Sequence, residues 1–237
     1  MQSAMLMTRK KNKVIVDPGN ILLLSHMDSE PPVNLATGLP FTKTGTGTYV
    51  NSGSSKFGAG SIRAARTTIG DYKFTMAERL DPAVWTIEGW VNFGNEGGSG
   101  TGRGAQHFTL GYNPSNGGFG LQLKFDTTSF RIFIRASSTG SNTAFNTTAA
   151  PGKSFANVWE HFALVRDNTV MRAYIGGILV LTQNYPPRPD DRSLNNMLGY
   201  TGSFDSCSFD EWRITNRQAL YNNNFTPPNR AFTELDV

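Results

Sequence analysis

Carboxylates are the first residues to test for chemistry. Glycoside hydrolysis needs two of them flanking the scissile bond, one as acid and one as nucleophile or base. On a β-strand they must occupy alternating positions to point the same way. Glu88 stands alone in its stretch, WTIEGWVNF from Trp85 to Phe93. Asp210 and Glu211 are adjacent, which in a regular strand sends them to opposite faces. Asp190-Asp191 sit in a Pro-rich loop sequence. His26, His107 and His161 lie far apart, and their spacing singles out no Ser-His-Asp arrangement. Gly97-Gly98 and Gly117-Gly118 lack the Lys-Ser or Lys-Thr and the helix of a phosphate loop. Cys207 is the single cysteine, so neither an intramolecular disulfide nor a thiolate zinc cluster can form. It reads as a small buried packing residue. The expectation is a protein that is not an enzyme.

The elements that would position these residues are short strands. Trp85, Ile87, Val91 and Phe93 alternate with Thr86, Glu88, Trp90 and Asn92, the period of a strand with one buried face. Leu121, Leu123 and Phe125 alternate with Gln122 and Lys124. Phe130, Ile132 and Ile134 alternate with Arg131, Phe133 and Arg135, and Thr127-Thr128-Ser129 between the runs predicts a hairpin turn. His161 to Arg166 is apolar at both parities, which suits a central strand. Gly176-Gly177 separates Met171 to Ile175 from Ile178 to Leu181, a strong two-residue hairpin signal. Phe41 to Val50 reads as a weak edge strand, and Phe209 to Ile214 as a short strand near the end. The nearest approach to a helical period is one turn near Asn216 to Tyr221. About twelve short strands without a repeat predict a two-sheet sandwich or jelly roll.

Composition agrees. The chain has 237 residues with 25 Gly and 12 Pro, which suits strands joined by turns, and 38% hydrophobic residues, enough for a sizeable core. The net charge of +4 is partly concentrated in Arg9, Lys10, Lys11 and Lys13. The remaining charge looks scattered along the chain, without a basic stripe, so nucleic acid is not an expected partner. No apolar run approaches a membrane span. In MQSAMLMTRKKNK the charges follow a short apolar stretch, the reverse of a secretory signal. Residues 1–20 therefore read as an arm for assembly or docking, with residues 21–237 as one domain. Arg9, Lys10, Lys11, Lys13, Val14, Ile15 and Val16 are the expected partner-binding residues. Val14-Ile15-Val16 could add a strand to a partner's sheet edge, although an ordered arm can equally dock on its own domain.

Four segments, in order, resemble a known pattern. They are Leu22 to Asp28 followed by Lys56 to Ile62, then Trp85 to Val91, then Trp159 to Val180, and finally Phe209 to Pro228. Together they resemble the laminin G-like domains of the concanavalin A-like lectin and glucanase group. The ending FDEWRITNRQALYNNNFTPPNRAF is similar to a variety abundant in virion proteins of tailed bacteriophages. Two departures stand out. Gly176-Gly177 replaces the usual Asn-Gly turn, and Cys207 stands where a Gly usually precedes the closing-strand Asp by three residues.

The resemblance implies an all-β fold, a two-sheet antiparallel jelly-roll sandwich. It implies a non-enzymatic virion structural protein, either a head decoration or cement protein or a tail or fibre component. Such a protein would be assembled in the host bacterial cytoplasm, bind neighbouring capsid or tail subunits and form a homo-oligomer. The alternative is a carbohydrate-binding module for a host surface glycan, with Tyr112, Tyr185 and Tyr200 as contacts. The resemblance also implies a structural Ca2+ held by Asp210 and by backbone carbonyls near Asp28 and Gly60. The E-x-D-x-x-E strand of the group's glucanases is absent.

Overall fold

A computed structural model describes residues 15–46, 48–64, 70–93, 105–110, 119–125, 130–136, 142–145, 157–184, 196–198 and 207–233. Between 105 and 145 the description is of the backbone. The described strands begin with β1 (Ile21–Ser25), β2 (Val33–Asn34), β3 (Leu39–Pro40), β4 (Thr42–Gly45), β5 (Thr48–Asn51), β6 (Ser61–Ala64), β7 (Gly70–Phe74) and β8 (Val84–Phe93). They continue with β9 (Ala105–Leu110), β10 (Phe119–Phe125), β11 (Phe130–Ala136), β12 (Asn142–Phe145) and β13 (Trp159–Asp167). The last four are β14 (Val170–Ile175), β15 (Ile178–Asn184), β16 (Asn196–Leu198) and β17 (Cys207–Asn216).

Two antiparallel sheets face each other. One has the order β15-β14-β13-β8-β17-β6-β5, with β1 also paired to β17; the other has the order β12-β11-β10-β9-β16-β7-β4. This is the expected jelly-roll sandwich. The expected edge strand over Phe41 to Val50 is two strands, β4 and β5, and each ends a different sheet. Strands β10 and β11 pair antiparallel up to Phe125 and Phe130; the expected turn at Thr127-Thr128-Ser129 lies outside the described residues. Gly176 and Gly177 have φ of 57° and 76°, so the left-handed turn that glycine permits joins β14 to β15. No helical turn forms at 216–221: β17 runs on to Asn216, and Arg217 breaks it with φ 54°.

The main core lies between the sheets. Trp85, Ile87, Phe162, Leu164, Phe209, Trp212 and Ile214 from the eight-stranded sheet meet Tyr72 and Phe74 of β7 there. A second cluster covers the opposite face of the eight-stranded sheet. Trp90, Ala163, Val165 and Tyr174 are roofed by Val16, Leu220, Tyr221 and Phe232. Strand β8 is therefore buried on both faces, where its alternation predicts one. Its polar positions, Thr86 and Glu88, are covered by the tail that follows β17.

The register of the seven-stranded sheet fixes which positions share a face. Tyr72 is buried, and its partners run Leu198, Phe108, Leu123, Ile132 and Phe145. This apolar row is the core side. Lys73 is exposed, and its partners run Met197, Thr109, Gln122, Phe133 and Ala144. That row is the outer side, because strand residues alternate.

Candidate functional site

The chemistry-bearing side chains of the described residues collect around one irregularity in β17. Its first residues pair with β6, and Trp212 to Thr215 pair with β1. Between these partners the register against β8 slips from Asp210↔Trp90 to Arg213↔Glu88. Glu211 takes φ 53°, the left-handed conformation that an extra bulge residue needs. The slip keeps Glu211 on the same side as Asp210, which corrects the expectation of opposite faces. Trp212 turns into the main core, while both carboxylates bond segments that cover the second cluster.

Each carboxylate is fully enclosed. Asp210 Oδ2 accepts from Lys56 N at 2.6 Å and Phe57 N at 3.0 Å, and Oδ1 accepts from Glu211 N at 2.8 Å. Glu211 Oε2 accepts from Phe232 N at 2.7 Å, and its carboxylate meets His26 Nδ1 at 2.9 Å. Nearby, Asp28 Oδ1 accepts from Ala59 N at 2.5 Å and Gly60 N at 2.8 Å. Together these bonds pin the 56–60 loop and the tail to the bulge.

Glu88, alone in its own strand, completes the set. Oε1 accepts from Arg213 Nη2 at 2.6 Å and Nε at 2.9 Å, and Oε2 accepts from Tyr221 Oη at 2.7 Å. His161 Nε2 stands 3.4 Å from Oε2 and finds no hydrogen-bond geometry there. Burial pushes the Glu88 carboxyl up, but the Arg213 and His161 interactions outweigh it and hold it at about 2. At Asp210 burial prevails over the backbone donors and lifts the carboxyl to about 7.

Aromatic rings form the roof. Phe225 stacks on Tyr221 with centroids 3.6 Å apart and stands edge-on to Tyr174 at 5.4 Å and His161 at 5.6 Å. Phe57 meets Trp90 edge-on, and Lys56 Nζ lies 4.0 Å from the Trp90 ring centroid. The bulge therefore gathers same-face acids, but under a sealed cover. Glu88, Asp210 and Glu211 are each 0% exposed, so no sugar can reach them.

The donors at Asp210 do not fit the expected Ca2+. Both oxygens face backbone N–H groups, whereas calcium requires oxygen lone pairs turned toward it. Among the described residues no group of three or more His, Cys, Asp or Glu could hold a metal.

Val16 is fully buried in the second cluster, and Gln218 bonds Asp17 N at 3.0 Å and Ile15 O at 3.4 Å. This corrects Val16's assignment to a partner-binding arm, because its apolar side chain is already seated on its own domain. Ile15 is exposed, whereas Arg9, Lys10, Lys11, Lys13 and Val14 lie outside the described residues. Tyr112, Tyr185 and Tyr200 lie outside them too. The Glu88–Arg213–Tyr221 network had half of a readable signal: Glu88 is the lone charge of the largely apolar β8, and a buried carboxylate must find a cation, but Arg213 lies two residues from Glu211 in its own strand and does not stand out.

The shifted groups set a pH profile. His26 is raised by its bond to Glu211, so its contribution is present below its ordinary pKa and is lost as pH rises through the folded value. Asp210 is also raised, so the fold favours its protonated form and loses stability as pH climbs from about 4 toward 7. Glu88 is depressed, so its contribution is lost only as pH falls toward 2. Thermal unfolding is expected to show greatest stability near pH 4, where the Glu88 gain is nearly complete and the Asp210 loss has barely begun, with a loss on the order of 4 kcal/mol by pH 8. Stability that increased from pH 5 to pH 8 would contradict the assignment.

The comparisons agree with this architecture. The family model described as concanavalin A-like lectin/glucanases superfamily matches residues 67–220. A search of curated protein sequences finds no match. Among solved structures, the chain is similar to the binding domain of Paraclostridial mosquitocidal protein 1, with TM-score 0.59 and 14% identity over 86% of this chain and 50% of that one. It is also similar to botulinum neurotoxin type C, whose cell entry depends on interaction with two ganglioside molecules. There the TM-score is 0.62 and identity 12%, over 86% of this chain and 49% of that one. Domain 4 of AbnA, a GH43 extracellular arabinanase from Geobacillus stearothermophilus, in complex with arabinotriose, has TM-score 0.61 and 16% identity over 85% of this chain and 94% of that one. The chain thus spans about half the length of the toxin structures and nearly all of the arabinanase domain.

Proposed function

The chain belongs to the concanavalin A-like lectin/glucanases superfamily, and from that premise we propose that it is a non-enzymatic carbohydrate-binding module carried on the virion of a tailed phage. The observation that carries the non-enzymatic part is the sealing of Glu88, Asp210 and Glu211 beneath the tail. Two-carboxylate hydrolysis needs acids that flank a sugar and admit water. The carbohydrate part is supported by the glycan and ganglioside partners of the similar structures. The virion part is supported by the similarity of the closing segment and by the basic run that precedes the Val16 anchor. On this reading the residues before Ile15 engage a neighbouring capsid or tail subunit or a second copy, and a head or tail position serves equally.

The full chain is expected to be retained by at least one member of a polysaccharide panel and to release no reducing ends from it. Released reducing ends overturn the non-enzymatic reading, and an empty panel overturns carbohydrate binding. In the same preparation, removing residues 1–14 leaves Val16 seated and should convert an oligomer, seen by light scattering, into a folded monomer. An unchanged mass overturns the assembly role of the arm.

A further inference from the structure

Charges that look scattered in the sequence gather on one face of the fold. Lys73 is exposed on the outer side of the seven-stranded sheet, in register through Met197 and Thr109 with Gln122 and Phe133. Lys124 follows Gln122 by two residues and pairs with Arg131; Arg135 follows Phe133 by two and pairs with Gly120 and Asn142. Strand alternation puts all of these positions on the outer side with Lys73. The core side carries Leu121, Leu123, Ile132 and Ile134 at the intervening positions. Among the described residues the outer rows thus hold Lys73, Lys124, Arg131 and Arg135, with Phe133 between the two arginines along its strand.

Among the described residues one acid shares the face. Asp71 precedes Lys73 by two residues, is 4% exposed, and its Oδ1 has no hydrogen-bond partner. At that exposure it is closed to a ligand, as Glu88, Asp210 and Glu211 are. The strands from β7 to β11 span four inter-strand steps, about 19 Å. That width suits an oligosaccharide better than a single sugar.

We propose that this outer face binds an anionic carbohydrate, one bearing carboxylate or sulfate groups. The proposal rests on the carbohydrate-binding reading above and adds the ligand class and the face. Lys73, Lys124, Arg131 and Arg135 supply the countercharges, and arginine suits the planar carboxylate and sulfate groups. Phe133 supplies the kind of apolar ring on which a sugar face rests.

The test titrates the full chain with polygalacturonate, dextran sulfate, neutral arabinan and a single-stranded DNA oligonucleotide, at low and at physiological salt. Polygalacturonate or dextran sulfate is expected to bind, weakening as salt rises, with arabinan and DNA at least about tenfold weaker. The double variant Lys124→Gln/Arg131→Gln should weaken the anionic glycan by about tenfold or more. Should that variant fail to fold by circular dichroism, the salt dependence of the unmodified chain decides, and a salt-independent affinity overturns the proposal. Arabinan bound as tightly as the anionic polymers overturns it while leaving carbohydrate binding intact. DNA bound as tightly overturns it in favour of a general polyanion surface. Failure of every polysaccharide overturns both readings.

Discussion

Replacing Arg213 by Met is expected to destabilise the domain by about 3–5 kcal/mol, because it leaves Glu88 ionised and buried without its cation. Arg213 donates twice to Glu88 Oε1 and once to Thr233 O, so one side chain holds the central strand pair and the tail. The Glu88 carboxyl, held at about 2, stays charged at every ordinary pH while Arg213 is present. Without Arg213 it must either take up a proton or bury its charge, and Tyr221 Oη alone cannot offset that cost. The double variant Glu88→Met/Arg213→Met should recover most of the loss, since an apolar pair of similar size avoids the desolvation of both charges. Urea unfolding midpoints of the two variants decide the matter. A single variant that loses under about 1 kcal/mol, or a double no better than the single, would show that the pair is not the keystone of this face.

The second large effect is expected at Gly177. A β-carbon there would stand 2.0 Å from Phe225 O and 2.9 Å from Pro227 Cδ, at a φ of +76°. Phe225 N donates to Gly177 O at 2.9 Å, so the tail is held at the very point where a methyl group would push it away. Gly177→Ala should lift Phe225 off Tyr221, Tyr174 and His161 and cost about 3 kcal/mol, by backbone strain and lost packing together. Gly176→Asn, at φ +57°, restores the more usual Asn-Gly turn and should stay within about 0.5 kcal/mol of the unmodified chain. Limited proteolysis of the tail separates the two, with rapid cleavage near Asn222 to Asn224 expected only for Gly177→Ala. Equal resistance in both variants would refute the proposed collision.

Most of the sandwich could be read from alternation and turn chemistry. The Gly176-Gly177 hairpin, the β10–β11 hairpin and the central character of His161 to Arg166 all follow from residue type at short range. The bulge could not be read this way. A glutamate at positive φ has no local signature, and its conformation is imposed by β17 changing partners from β6 to β1. The same-face acids follow from that one register slip. Val16 was obscured for another reason: an apolar residue after a basic run looks like part of an arm until a distant Leu220 and Tyr221 provide its pocket. The basic outer face was hidden because Lys73 and Arg135 are 62 residues apart in sequence, and only the sheet register brings their rows together.

The position of β17 also governs when the domain can form. Of the described strands it is the last in chain order, yet it lies in the interior of its sheet, between β8 and the β6 and β1 strands. Until it leaves the ribosome, β8 has an open edge, and Trp212, Phe209 and Ile214 are missing from the core. Non-local strand pairing of this kind is slow and exposes unpaired edges while it waits. The nascent chain therefore gains little by folding piecemeal. Commitment comes late and all at once, when the closing strand slides into its gap and the tail locks over it.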